Sequence, residues 1–443
     1  MRIIRNYFYT AGYNLLILLT PLLTVPYISR VLGPTGVGIN ATTNSIITYF
    51  LLFGTVGITI YGNREIAFLV FLFFEHQLQI YFFYQSFYII AGAVDISWYF
   101  MGLEDFKKTV LRNMLVKIAS VIAIFVFVKT RQDTGIYILI LAGSQILGNL
   151  TLWPYLRHSV ERPNWRQLNL FRHLRPSLAL FVPQIATTVY LALNKTMLWQ
   201  MDSLTAAGFY DYSDKLIKLV LALVTATGTV MLPHIANLFM KQQLERVKQY
   251  LYMSFDFVLA IALPMALGVA AVATTLAPLF FGRAFGAVDR LLMIEAPVII
   301  LIGMSNVLGQ QFLLPTKQTK TYTISVTIGA LVNIACNIPL IWFWGVAGAM
   351  CATLISEVCV TGYQLFITRH VLHAQSLFTG IWKYTLAGGL MFTFVFRLNV
   401  TMPASYLNLC LQIGVGVLLY LGLILLLQPP VLRNAIKLHN NLH

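Results

Sequence analysis

Between residues 193 and 218 the chain reads LNKTMLWQMDSLTAAGFYDYSDKLIK, and its acids and bases recur at helical spacing. Asp211 precedes Lys215 by four residues and Asp214 precedes Lys218 by four, acid before base, the order that stabilises a helix. Lys195 lies near the end of an apolar run, and Lys218 stands a turn inside the next one. A charge at the centre of a membrane helix costs about 2.5 to 3.5 kcal/mol, so ionisable residues in or beside apolar runs are candidate functional residues. The first half supplies a second set. Arg30 ends a run at YISRVLG, where it either reaches for headgroups or holds an anion; Arg64 and Glu65 are adjacent in YGNREIA; Asp95 and Lys117 lie inside or beside later runs. Neighbouring helical residues point about 100° apart, so Arg64 and Glu65 are expected to tie down a helix end rather than pair. Asp95 is expected to pair with Lys117 or to carry a proton or ion.

The chemistry open to these residues is electrostatic: lysine and arginine can hold an anion, and the carboxylates can hold a proton or a cation. Enzymatic signatures are absent, with no GxSxG, HExxH, Walker A or GxGxxG segment, and His370 and His373 sit in a basic loop without a nearby acid. Cys336, Cys351, Cys359 and Cys410 fall within apolar runs without a close pair, which suggests neither a disulfide framework nor a metal knuckle.

The elements that carry these residues are membrane spans. Of 443 residues, 58% are hydrophobic and 10% charged, and the mean hydropathy is +0.76, outside the range of a soluble domain. Apolar runs occupy 9 to 29, 40 to 61, 78 to 101, 113 to 128, 135 to 156, 176 to 194, 215 to 238, 252 to 273, 291 to 313, 322 to 344, 346 to 368, 382 to 397 and 404 to 427. The charge of +15 collects in linkers such as GLEDFKKTVLR (102 to 112), RHSVERPNWRQLNLFRHLR (157 to 175) and MKQQLERVKQY (240 to 250), and in the tail. Basic linkers mark the cytoplasmic side, so the excess charge implies no nucleic acid, and both termini are expected to be cytoplasmic.

Orientation exposes one irregularity. Arg64 and the Lys107–Lys108 pair both belong on the basic side, so residues 66 to 101 must cross twice. They supply about 54 Å of helix where two bilayer cores need ~60 Å, and the run from Ile66 is broken at Glu75 and His76. The expectation is an all-α polytopic membrane protein of about fourteen transmembrane helices, the third truncated. A faint repeat, VLGPTGVGINATTNSI (31 to 46) over MDSLTAAGFYDYSDKL (201 to 216), suggests two six-helix halves of like polarity. The expected division is an N-terminal lobe at 1–157, a C-terminal lobe at 158–370, and two extra helices with a basic cytoplasmic tail at 371–443.

The segments YNLLILLTPLLTVPYISRVLGPTGVG, YGNREIA, DISWYFMGLEDFKKTVLRN, LFVPQIATTVYLALNKTMLWQM and AAGFYDYSDKLIKLVLALVTATGTVMLPHIA resemble the Wzx-type polysaccharide flippases of the MOP exporter superfamily. The likeness runs from about residue 4 to about residue 430. It implies two lobes in a V, and passage of undecaprenyl-pyrophosphate-linked oligosaccharide repeat units across the bacterial cytoplasmic membrane by alternating access. It implies no enzymatic step and no cofactor, with resetting by a proton or sodium gradient. The partners implied are the lipid-linked oligosaccharide, membrane lipids, a polysaccharide polymerase and chain-length machinery. On this reading Arg30, Lys195, Lys215 and Lys218 bind the anionic substrate, and Asp95, Lys117, Asp211 and Asp214 couple an ion or form structural pairs. The alternatives are an exporter of lipid II or drugs in the same fold, or a membrane-embedded polysaccharide polymerase or ligase. The family's basic loop and full third span after REIA are reduced here to FLVFLFFEH, which bears on whether this copy transports at all.

Overall fold

The computed structural model describes residues 2–54, 77–103, 106–156, 188 and 192–432. Those residues form helices joined by short turns. The truncated third span, Arg64 and Glu65 lie outside the described residues. Six helical segments among the described residues are long and apolar enough to cross a membrane, and the chain is a multi-pass membrane protein. It divides into two compact units, Met1–Gly208 and Phe209–His443.

The first unit opens with α1, Arg2–Gly54, whose helical conformation is interrupted at Gly33 (φ 67°, ψ 179°). The expected spans at 9 to 29 and 40 to 61 are thus joined through one glycine, which alone tolerates that φ without strain. Next come α2 (Gln79–Ala93), α3 (Phe106–Phe127) and α4 (Thr134–Leu150). The expected span at 78 to 101 is not continuous. Helix α2 stops at Ala93, and a six-residue helix, Ser97–Gly102, follows. Asp95 lies in the break, so it is not inside a helix as the hydropathy suggested; its Oδ1 accepts the Ser97 backbone N–H at 2.8 Å. A short acidic side chain competes with the helix for backbone hydrogen bonds and so favours starting a new one.

Polar bonds stitch this unit where apolar contact cannot discriminate protein from lipid. The buried Gln85 of α2 donates through Nε2 to Asn40 Oδ1 at 3.1 Å and to Thr43 Oγ1 at 3.2 Å on α1. Asn149 of α4 donates to the Ala91 carbonyl at 2.7 Å and accepts from Arg112 Nη1 at 2.9 Å. The Tyr27 hydroxyl donates to the Val128 carbonyl at 2.7 Å, fastening α1 to the end of α3.

Most of α5 (Leu204–Met240) lies in the second unit, with α6 (Leu244–Phe281), α7 (Val288–Glu295) and α8 (Val298–Ser305). Helix α8 continues as a π-helix over Asn306–Leu313. Then follow α9 (Thr319–Thr368), α10 (Ile381–Thr401) and α11 (Tyr406–Leu427). Helix α9 holds two expected spans, bent at Gly345 (φ 54°, ψ −128°). Helix α6 is the axis of the unit, packing along α7, α8, α10 and α11. On α11 the buried positions Leu409, Gln412, Gly416, Tyr420 and Ile424 recur every three or four residues. Leu411, Leu418, Leu425 and Leu426 stand outward, as a lipid-facing surface requires.

Candidate functional site

The lysine–aspartate pairs anticipated on α5 are formed. Lys215 Nζ lies 2.5 Å from Asp211 Oδ2, and Lys218 Nζ lies 2.6 Å from Asp214 Oδ2. In each pair the carboxylate is buried and the lysine open: side-chain exposure is 2% for Asp211 against 39% for Lys215, and 10% for Asp214 against 42% for Lys218. Burying a carboxylate in a bilayer protein requires a partner, so these lysines neutralise their aspartates before they meet any ligand. Lys215 also lies 5.1 Å above the Tyr212 ring, which stacks on Phe281 and Phe285. The face these residues build is a cation-tipped aromatic ledge: it can offer N–H donors to an anion, but each of its charges is already half used.

Arg30, the third cation assigned from the sequence, is exposed, and its Nη1 donates to the Pro26 carbonyl at 2.5 Å, one turn back. Lys195 lies on the helical stretch at 192–201, near the hydroxyl of Tyr49 on α1. Arg30 and Lys195 therefore belong to the first unit, and Lys215 and Lys218 to the second.

Asp95 and Lys117 do not pair. The carboxylate of Asp95 is turned to the Ser97 N–H, and among the described residues Lys117 has no ion-pair partner. No group of three or more His, Cys, Asp or Glu side chains among the described residues is placed to hold a metal ion.

Three further features stand outside the residues assigned above, and the second of them alone is an ionisable group in an apolar run. Around the π-helix, Ser254 Oγ donates to Gln311 Oε1 at 2.6 Å, Gln311 Nε2 to Asn306 Oδ1 at 3.2 Å, and Asn306 Nδ2 to Gln310 Oε1 at 3.0 Å. All are uncharged, so a search for ionisable residues passes over them, although π-turns often mark functional regions. A buried carboxylate, Asp256 on α6, accepts the Tyr384 hydroxyl of α10 at 2.9 Å. Last, α1 and the start of α5 cross with their backbones in contact. A Cβ on Gly38 would fall 1.7 Å from the Leu204 carbonyl oxygen, and one on Gly208 would fall 2.2 Å from that of Pro34. Thr35 and Thr205 share a hydrogen bond at 3.0 Å beside them. Each of these pairs is related by the 170-residue shift of the sequence repeat, so the repeat is realised as a local two-fold crossing.

Comparison with known proteins adds to this picture. Residues 73–239 match the family described as "Polysaccharide biosynthesis protein". The "Putative O-antigen transporter" of Escherichia coli (strain K12) is 23% identical over 412 residues, covering 83% of this chain and 96% of the relative; one of the same name from Shigella dysenteriae is 22% identical over 293 residues, 66% of this chain and 73% of its own. Among solved structures, the lipid II flippase MurJ in an inward closed conformation covers 95% of this chain and 98% of its own, with a TM-score of 0.72 at 15% identity. An inward-facing multidrug MATE transporter of the MOP superfamily aligns over 81% of this chain and 94% of its own, with a TM-score of 0.57 at 10% identity. At those identities the structural likeness speaks for the fold alone. The resemblance read from the sequence is borne out, and the named relatives are transporters and flippases rather than enzymes.

Proposed function

We infer that this chain, a Wzx-type member of the MOP exporter superfamily, flips a lipid-linked glycan across the bacterial cytoplasmic membrane, with an undecaprenyl-pyrophosphate-linked oligosaccharide repeat unit as cargo. The observation that carries this reading is the sequence likeness to a "Putative O-antigen transporter", which extends over 83% of this chain and 96% of that relative. The physical requirement agrees. A pyrophosphate with about two negative charges crosses a low-dielectric layer only where cations replace its water, because Coulomb attraction rises steeply as the dielectric falls.

Arg30, Lys195, Lys215 and Lys218 supply such cations in this reading, and the lobes at 1–157 and 158–370 alternate access to them. The polyprenyl chain stays in lipid. In this reading Asp211 and Asp214, paired with Lys215 and Lys218, exchange a proton or sodium ion against their lysines, which would couple the cycle to an ion gradient. Both termini face the cytoplasm, where the cargo is made, and the polymerase and chain-length machinery act on the far side.

Expression in a strain lacking its own flippase tests the reading, with outer-leaflet lipid-linked sugar as the readout. Export restored by the intact chain, and lowered without loss of protein by Lys218→Ala or Arg30→Ala, is the expected result. Absence of export by the chain and also by a version given a complete third span would overturn it. A cargo of drug cations would instead show as drug resistance without glycan export.

A further inference from the structure

Asp256 is an ionisable group that the lysine–aspartate site leaves unused. It lies four residues, or about 6 Å of helix, inside the apolar run that begins at 252, at the end of α6 next to the basic linker 240–250. The residue is 8% exposed. Its Oδ1 accepts the Tyr384 hydroxyl of α10 at 2.9 Å, whereas its Oδ2 is enclosed and has no hydrogen-bond partner among the described residues. The walls are close. A Cβ on Gly380 would fall 2.6 Å from Asp256 Oδ1 and 3.0 Å from Pro430 Cδ, and the Tyr384 oxygen also meets the Val431 backbone. The carboxyl group is thus the point where α6, the start of α10 and the segment after α11 converge.

Among the described residues Asp256 enters no ion pair. Lys383, beside Tyr384 on α10, is committed to the Leu427 and Gln428 carbonyls at 2.7 and 3.0 Å. Tyr420 of α11 is near enough to feel the Asp256 charge, but its hydroxyl donates to the Ala260 carbonyl at 2.7 Å. A turn back on α6, Tyr252 accepts the His373 backbone N–H at 3.0 Å, and α8 with its π-helix carries no ionisable side chain. A buried carboxylate without a counter-charge is neutralised by a bound cation or by a proton. The enclosed Oδ2 offers no open surface to a hydrated ion, so a proton is the occupant it fits. We propose that Asp256 is a proton-binding site that latches the C-terminal helix pair, α10 and α11, onto α6. With the proton on Oδ2, Oδ1 still accepts from Tyr384 and no charge is buried. Loss of the proton to water leaves a charge in the joint, which draws in water and loosens it. The opposite end of the pair is fastened by uncharged groups: the Tyr406 hydroxyl donates to the Leu279 carbonyl at 2.7 Å, and Asn399 donates to Gln412 Oε1 at 3.1 Å and bonds Thr274. The latch therefore responds to pH at one end only. It involves no cargo and stands apart from the flippase reading.

The test uses the full-length chain in nanodiscs. Infrared difference spectra read the proton directly: at neutral pH the intact chain should show a carboxylic-acid carbonyl band that Asp256→Asn lacks. Tyr384→Phe should move that band to higher frequency, because Oδ1 loses its donor. A proton held by the folded state and released on unfolding makes stability fall as pH rises. Between mildly acid and mildly alkaline buffer, the melting temperature of the intact chain should therefore drop by several degrees more than that of Asp256→Asn, which keeps an acceptor for Tyr384 and carries no charge. Hydrogen exchange in α10 and α11 should quicken at alkaline pH in the intact chain relative to Asp256→Asn in the same buffer. Three results would overturn the proposal: no band lost in Asp256→Asn, an equal pH dependence of melting in both chains, or stabilisation of the intact chain alone by sodium or potassium over choline, which assigns the carboxylate to a metal cation. Should Asp256→Asn fail to fold, the Tyr384→Phe spectrum decides, and an unmoved band overturns the proposal.

Discussion

Replacing Gly38 by alanine should pry open the crossing of α1 and α5, and the structure sets the size of the effect. The new Cβ would lie 1.7 Å from the Leu204 carbonyl oxygen, whereas real Cβ contacts stay beyond 3.0 Å, so the two backbones must part by at least 1.3 Å. Neither neighbour is a flexible side-chain tip that could swing aside. The Thr35–Thr205 hydrogen bond, now 3.0 Å, would stretch past bonding distance with the loss of about 1 kcal/mol. Overpacking adds about 1 to 3 kcal/mol. At Gly208 the clash is milder, 2.2 Å against the Pro34 oxygen, so Gly208→Ala should cost less. Because both substitutions demand the same separation, the double variant should cost less than the two single effects added together. Thermal unfolding gives the ranking. Oxidative cross-linking of Thr35→Cys with Thr205→Cys, in a chain whose native cysteines are serine, reports the separation itself. If Gly38→Ala melts with the intact chain and cross-links as fast, the close approach is not what holds these helices together.

On α5 the burial asymmetry makes a directional prediction. Lys215→Met strands a carboxylate that is 2% exposed, while Asp211→Asn frees a lysine that is 39% exposed and can reach water. The first should lower stability by about 1 to 3 kcal/mol and the second by clearly less, in matched thermal denaturation. Gln311→Leu removes the acceptor of Ser254 and the donor to Asn306. It should cost about 1 to 3 kcal/mol, with part recovered by adding Ser254→Ala, and strictly additive losses would show that the two side chains do not couple. For Asp95, alanine should cost about 1 kcal/mol through the lost Ser97 contact. Asparagine keeps an acceptor oxygen and should leave both stability and export near those of the intact chain; export that loses its ion dependence in Asp95→Asn would restore the coupling role.

Legibility in the sequence followed charge and hydropathy. The spans at 322 to 344 and 346 to 368 emerge as the two arms of α9, because long apolar runs in lipid have almost no alternative to helix. The Asp211–Lys215 and Asp214–Lys218 pairs follow from spacing alone. Asp95 was misplaced inside a helix because hydropathy averages over a window and cannot see one carboxylate redirecting a backbone amide. The Gly38–Gly208 crossing was visible only as a faint repeat; what it does depends on the absence of a side chain, which no measure of polarity records. The Asn306–Gln311 network escaped because uncharged amides in a span carry little weight until a partner helix is seen beside them.

The single-glycine joints at Gly33 and Gly345 have a practical consequence for mapping this molecule. Where one residue links two crossings, there is no exposed loop to accept a protease, an epitope or a reporter fusion, and an insertion would have to splay both arms. Sidedness is better probed with single cysteines and impermeant thiol reagents, or with tags placed in the open turns at 369–380 and 402–405.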